Sequence, residues 1–227
     1  MASDKKVRVC VVGMGIGRSN GRALSGNPRG EVVALCDLRE DAMKDFAKEL
    51  PGEQKLYTDY KEMCRDPEID AVFVGTPNQW HVPVAREVVR NDKHVIVTKP
   101  LADSEDAART LVEEADASGV VNMMSLGTRY GASCQHLGKL GRDGFFGDFY
   151  YARARSVRRN GIPDWSMGFI SEGGGAFRDM GVHVLDAVWW MMGMPRPISA
   201  VGVAGAHFGQ HGAGYWDGRQ PAEEFYS

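Results

Sequence analysis

Between the apolar run Val7–Val12 and a helical segment reaching about Gly26 lies the glycine turn Gly13-Met14-Gly15-Ile16-Gly17. A buried strand that passes through a glycine turn directly into a helix belongs to a sheet with helices packed on it. The pattern then repeats. Val32–Cys36 precedes a helix over Asp41–Leu50, Ala71–Gly75 precedes one near Val82–Asn91, and Val95–Val97 precedes one over Asp103–Ser118, with Val120–Ser125 closing the series. These runs are short, apolar and rich in β-branched residues, as strands covered on both faces must be. The spacing predicts an α/β fold with a doubly wound parallel sheet.

Composition changes near residue 127. Of the 28 glycines, 19 fall from Gly127 onward, with no low-complexity linker and no internal repeat. A first domain over 1–126 and a second over 127–227 are expected. The second has predicted helices at Ala132–Arg142 and Ala176–Met192, and strands near Phe149–Val157 and Ile198–Ala206. Two strands do not make an independently stable sheet. Either more chain or another subunit has to supply the rest.

The glycine turn predicts a dinucleotide site. Glycine permits the tight turn and lets a pyrophosphate approach the backbone, and the free N–H groups at the helix start bind its oxygens. Gly13, Gly15, Ile16 and Gly17 are the expected phosphate contacts. The loop reads G-x-G-x-G, and Arg18 stands where a stricter fingerprint has glycine. Asp37 ends the second strand, 37 − 17 = 20 residues after the last loop glycine. An acid about 20 residues on can hold an adenosine ribose diol. Its charge would repel a 2′-phosphate, so NAD is expected over NADP, with Arg39 offsetting part of that preference. A glycine turn beside a solvated aspartate is the plainer reading. Gly17-Arg18-Ser19-Asn20-Gly21 also matches the G-x-S-x-G of serine hydrolases, with His183 and His207 as downstream histidines. That elbow normally lies deeper in a sheet than the first strand.

Reactive candidates lie where two further strands end. Thr76-Pro77-Asn78-Gln79-Trp80-His81 and Thr98-Lys99-Pro100 both follow strands, and ligands of open parallel sheets bind beyond the carboxyl ends of strands. Thr76, Asn78, His81 and Lys99 are expected at the cofactor. Proline restricts the residue before it, so Lys99 is held, and its ammonium could stabilise alkoxide charge. A solvated strand-end lysine is the alternative. Asp179 and His183 are spaced i, i+4 on the predicted second-domain helix, which suits general acid–base work, and Asp186 continues the polar stripe. Phe177, Met180, Val184, Leu185, Val188 and Met192 form its apolar stripe. A buried helix with satisfied polar groups is the plainer reading there. His207 and His211 lie in a glycine-rich loop without a Cys/His cluster, so no metal site is expected. Arg153 and Arg155 would share one strand face, and Arg158 and Arg159 are better placed to reach a polyhydroxy substrate.

Charge narrows the partners. Net charge is −3, which leaves no basic excess for nucleic-acid phosphates. The most apolar run, Val184–Met194, carries Asp186 and falls short of the roughly 20 residues that cross a membrane. The N-terminus enters a strand without a signal-peptide h-region. Four scattered cysteines without a CxxC spacing suggest a reducing cytoplasm.

Together these motifs resemble the Gfo/Idh/MocA family of glucose–fructose oxidoreductase, inositol dehydrogenase and relatives. The carriers are Gly13–Gly17, Asp37, Thr76-Pro77-Asn78 with His81, Lys99-Pro100, and Gly173-Gly174-Gly175 with Asp179 and His183. The segments Gly147–Arg155 and Arg159–Pro163 resemble members acting on sugars. The resemblance implies a Rossmann NAD-binding domain followed by an α+β open-sheet domain, incomplete here because family members continue further. It also implies homo-oligomers joined through that sheet, and hydride transfer between nicotinamide and a sugar, cyclitol or related polyol. Lys99, Asp179 and His183 would be catalytic: Lys99 polarising the reacting oxygen, His183 moving its proton, Asp179 orienting His183. The family's usual Glu-Lys-Pro reads Thr98-Lys99-Pro100 in this chain. Alternative outcomes are a non-catalytic NAD-binding sensor, or a glycosidase or epimerase of the same family that oxidises its substrate transiently.

Overall fold

The computed structural model describes residues 5–157 and 175–205. The chain divides into two units, Met1–Ser125 and Leu126–Ser227.

In the first unit six strands alternate with helices: β1 (Val7–Val12), α1 (Gly17–Ser25), β2 (Gly30–Cys36), α2 (Glu40–Ala47), β3 (Lys55–Tyr57), α3 (Tyr60–Cys64), β4 (Ala71–Val74), α4 (His81–Arg90), β5 (His94–Thr98), α5 (Glu105–Ser118) and β6 (Asn122–Ser125). The sheet order is β3-β2-β1-β4-β5-β6, and every pairing is parallel. The doubly wound α/β reading therefore stands. β4 is buried along its whole length, as its unbroken Ala-Val-Phe-Val requires. Helix ends follow local chemistry. Asp59 caps α3 by accepting from Lys61 N, and Ser104 caps α5 by accepting from Ala107 N. Gly119 ends α5 at φ 72°.

Strand order reverses between β1 and β4, the place where α/β sheets open a crevice for ligands. Arg8 fixes this pair from the opposite end: its guanidinium holds Asp70 at 2.7 and 3.0 Å, and its backbone N–H donates to the same carboxylate at 2.9 Å. Cys10, Cys36 and Cys64 are free and buried in one core cluster beneath α4. Burial pushes the Cys36 and Cys64 thiols up to about 12 and Cys10 well above the ordinary range, so the protonated, unreactive form prevails.

The second unit contains a 3-10 turn at Gly127–Tyr130, α6 (Ala132–Arg142), a π turn at Phe177–Gly181 and α7 (Val182–Met191). The two helices pack with Trp190 lying over Gly138, which leaves no room for a Cβ there. The Arg142 guanidinium covers the Trp190 ring at 4.7 Å.

Two predicted strands are not formed. Phe149–Val157 has no strand structure and is exposed throughout, and neither does Ile198–Gly205, where Ile198, Val201 and Val203 are 98% exposed or more. A strand is defined by a hydrogen-bonded neighbour, and among the described residues neither segment has one. Without the pleat, Arg153 and Arg155 have no common strand face. The apolar stripe needs correction too: Phe177 and Leu185 are exposed, and the helix opens with the π turn. Arg158, Arg159, Asn160–Pro163, Gly173, Gly174, Ala206, His207 and His211 lie outside the described residues. No helix among the described residues is long and apolar enough to cross a membrane.

Candidate functional site

The loop between β1 and α1 crosses the end of β4. Gly13 sits there at φ 90°, where an added Cβ would stand 2.5 Å from the Gly75 carbonyl oxygen. Only glycine fits both the backbone angle and the gap. Its N–H donates to the Cys36 carbonyl at 2.8 Å, which ties the loop to the end of β2. A Cβ on Gly17 would lie 2.9 Å from Val11 Cγ1, so this glycine lets α1 settle on β1. Gly15 differs from both. It is exposed, and a Cβ there would meet nothing within 4 Å. The space beside it is open for a ligand.

α1 begins at this loop with no side-chain cap and no acidic residue in its first turn. α2 and α5 instead begin with Glu40 and Asp41, and with Glu105 and Asp106. Those carboxylates answer their helix dipoles, whereas the first turn of α1, like those of α4 and α6, carries neither a side-chain cap nor an acid of its own, which leaves its N–H groups available to an anion. Beside it, Asp37 Oδ2 accepts the Met14 N–H at 2.6 Å and Oδ1 accepts the Arg39 N–H at 2.9 Å. The carboxylate is thereby aimed along the loop. Arg39 is mostly exposed, and its Nε stands 3.4 Å from Asp37 Oδ1.

Beyond β4, Thr76 Oγ1 is buried without a hydrogen-bond partner. A buried hydroxyl without a partner is costly, so this atom fits contact with a bound group. Asn78 opens a 3-10 turn, Asn78–Trp80, and Trp80 meets Tyr60 edge to face at 6.4 Å. Lys99 follows β5, partly buried, ahead of a cis bond to Pro100. Gly13–Gly17, Asp37, Thr76, Asn78 and Lys99 thus all stand at the carboxyl edge of one sheet. Open space at Gly15, an uncapped helix start, an aimed acid and an orphaned hydroxyl together fit a dinucleotide.

His81 departs from the expected role. It is fully buried, with Nδ1 2.6 Å from the Pro100 carbonyl oxygen and Nε2 2.8 Å from that of Thr76. Both ring nitrogens are turned to protein carbonyls, with the tautomer deciding which of them donates, so neither is open to a cofactor. Ser19 is no nucleophile elbow either: it lies within α1 and donates its hydroxyl to the Ile16 carbonyl at 3.0 Å.

In the second unit Asp179 lies in the π turn and His183 in the first turn of α7, each partly buried. Asp186 does not continue their stripe. It is buried, and both its oxygens accept from the Arg129 guanidinium. Nothing local in the sequence marks Arg129, because its partner is 57 residues away.

Comparison with known proteins agrees with this geometry. The profile of an oxidoreductase family with an NAD-binding Rossmann fold matches residues 7–126, and that of the GFO/IDH/MocA C-terminal domain matches residues 134–214. D-glucoside 3-dehydrogenase of Escherichia coli (strain K12) is 30% identical over 73% of this chain and 47% of its own length. Myo-inositol 2-dehydrogenase of Thermotoga maritima is 28% identical over 82% of this chain and 55% of its own. The chain therefore spans about half the length of such relatives. Among solved structures, myo-inositol dehydrogenase from Lactobacillus casei in complex with NAD(H) and myo-inositol matches with a TM-score of 0.73, at 25% identity over 83% of this chain and 55% of that one.

Proposed function

The chain belongs to the GFO/IDH/MocA oxidoreductase family, and from that premise we propose that it is an NAD-dependent oxidoreductase acting on a CH–OH group of a sugar, cyclitol or related polyol. The observation that carries the cofactor half is Asp37, anchored by the Met14 N–H beside an uncapped helix start. The relatives named for glucoside and inositol support the substrate class.

When bound, the nicotinamide supplies the hydride acceptor or donor. The chain supplies the rest. Gly13, Gly15, Ile16 and Gly17 offer backbone to the pyrophosphate, Asp37 accepts from the ribose hydroxyls, and Thr76 and Asn78 line the same edge. Lys99 donates a hydrogen bond to the reacting oxygen and lowers the cost of negative charge on it. His183 takes the hydroxyl proton during oxidation and returns it during reduction. Asp179 orients the His183 ring. The reading extends to a reducing cytoplasm, supported by four buried free thiols, and to a homo-oligomer joined through the second unit, where exposed Ile198, Val201 and Val203 support it.

The experiment is NADH formation across a panel of sugars and polyols. Activity on at least one is expected, with Lys99→Ala and His183→Ala each cutting kcat by about 100-fold or more. Undiminished turnover in either variant would overturn that residue's role. NAD binding without turnover on any substrate would leave a sensor.

A further inference from the structure

α4 is anchored by Val84, Ala85, Val88 and Val89, all buried in the core. His81 is its first residue, so the ring is carried on a rigid element. One ring nitrogen reaches back to the loop after β4 and the other across to the loop after β5, at 2.8 Å from Thr76 O and 2.6 Å from Pro100 O. Those are the two loops that carry Thr76 and Asn78 on one side and Lys99 on the other. A carbonyl oxygen only accepts, so each contact is a hydrogen bond only when its nitrogen bears a proton. Solvent cannot substitute for either contact, because the ring is 0% exposed.

We propose that His81 is a positioning residue, a latch that holds the Lys99-Pro100 loop in fixed relation to the Thr76–Asn78 loop, so that Lys99 is set in place through the Pro100 carbonyl. The consequence for catalysis rests on the reading of Lys99 given above. The latch itself can be tested without turnover, so the two fail separately: Lys99→Ala kinetics tests the reading, and the environment of Lys99 tests the latch.

Three variants divide the two bonds. Asn at 81 places an amide N–H near the Nδ1 position and can keep the Pro100 bond. Gln places one near Nε2 and can keep the Thr76 bond. Phe keeps neither. Lysines are reductively 13C-methylated, and the Lys99 resonance is assigned by its absence in Lys99→Arg. NAD affinity is measured by calorimetry on the same samples. His81→Asn is expected to retain the wild-type Lys99 resonance. His81→Gln and His81→Phe should shift and broaden it, and His81→Phe should weaken NAD binding roughly 3- to 10-fold, the effect of one lost hydrogen bond. If all three variants lower the melting temperature yet leave the Lys99 resonance and NAD affinity at wild-type values, His81 is merely structural and the proposal fails. Should the variants not fold, 15N spectra of the wild-type protein decide. A slowly exchanging His81 Nδ1–H signal with a through-hydrogen-bond coupling to the Pro100 carbonyl supports the latch, and a ring without a proton on Nδ1 overturns it.

Discussion

Arg129 grips Asp186 with two parallel hydrogen bonds, Nε to Oδ2 at 2.8 Å and Nη2 to Oδ1 at 2.5 Å. The pair joins the 3-10 turn at Gly127–Tyr130 to α7 one turn beyond His183. Asp186 has a side chain only 7% exposed, so removing its partner leaves a buried charge unpaired. Arg129→Ala should destabilise the second unit by about 3–5 kcal/mol. The double variant Arg129→Leu, Asp186→Leu should recover most of that loss. Urea unfolding followed by the fluorescence of Trp189 and Trp190 measures both, and an Arg129→Ala transition at the wild-type midpoint would refute the argument.

The glycine loop separates folding from binding. Gly13→Ala forces a side chain into a left-handed backbone against Gly75, at a cost of about 1–3 kcal/mol for the backbone alone. It should lower the melting temperature. Gly15→Ala points its methyl into open space, so stability should stay within about 0.5 kcal/mol. NAD binding should nonetheless weaken by about ten-fold or more, because the methyl occupies the ligand's approach. Equal melting temperatures for the two variants would contradict the geometry.

This loop was also the most legible part of the chain. Glycine spacing, the strand before it and Asp37 after it are all local signals; they predict the parallel sheet correctly and bring the loop and Asp37 to its carboxyl edge. β3 and α3 leave no signal in the sequence because they are only three and five residues long, too short to show a period. Phe149–Val157 and Ile198–Ala206 carry strand-like residues, but strand formation depends on a neighbour that the residues themselves do not specify. Its position after Thr76-Pro77-Asn78 points His81 to the cofactor. Its actual partners, two carbonyls on separate loops, are set by the fold. Arg129 and Asp186 meet only in three dimensions.

Cofactor choice follows from Asp37. A carboxylate that already accepts from Met14 N can still take the ribose hydroxyls, but it meets a 2′-phosphate with like charge. NAD should bind more tightly than NADP by about 1–3 kcal/mol. Asp37→Ala should narrow the gap, with the exposed Arg39 then free to attract the phosphate. The ratio of the two dissociation constants checks this, and NADP binding as tight as NAD in the wild type would refute it.

Acid should loosen the contact between α4 and α5. Glu114 accepts from Arg86 at 2.5 and 2.9 Å and from Arg90 at 2.9 Å. The Arg86 hydrogen bonds, opposed by burial and aided by Arg90, draw its carboxyl from the ordinary 4.5 to about 2. The folded value lies below the unfolded one, so the stabilisation is fully present above about 4.5 and lost as pH falls toward about 2. Glu114→Gln should flatten the stability profile across that window and leave its slope near neutrality unchanged. An unaltered acid slope would show that the pair contributes nothing.

The thiols turn the fold into its own stopwatch. Cys10, Cys36 and Cys64 lie in the core of the first unit, and Cys134 is buried on α6 in the second. An alkylating reagent can reach each only after its surroundings open. Mapping which cysteine is labelled, and how fast, therefore times the opening of each unit separately within one unmodified chain. Bound NAD should slow the first three and report its own occupancy without any spectroscopic probe.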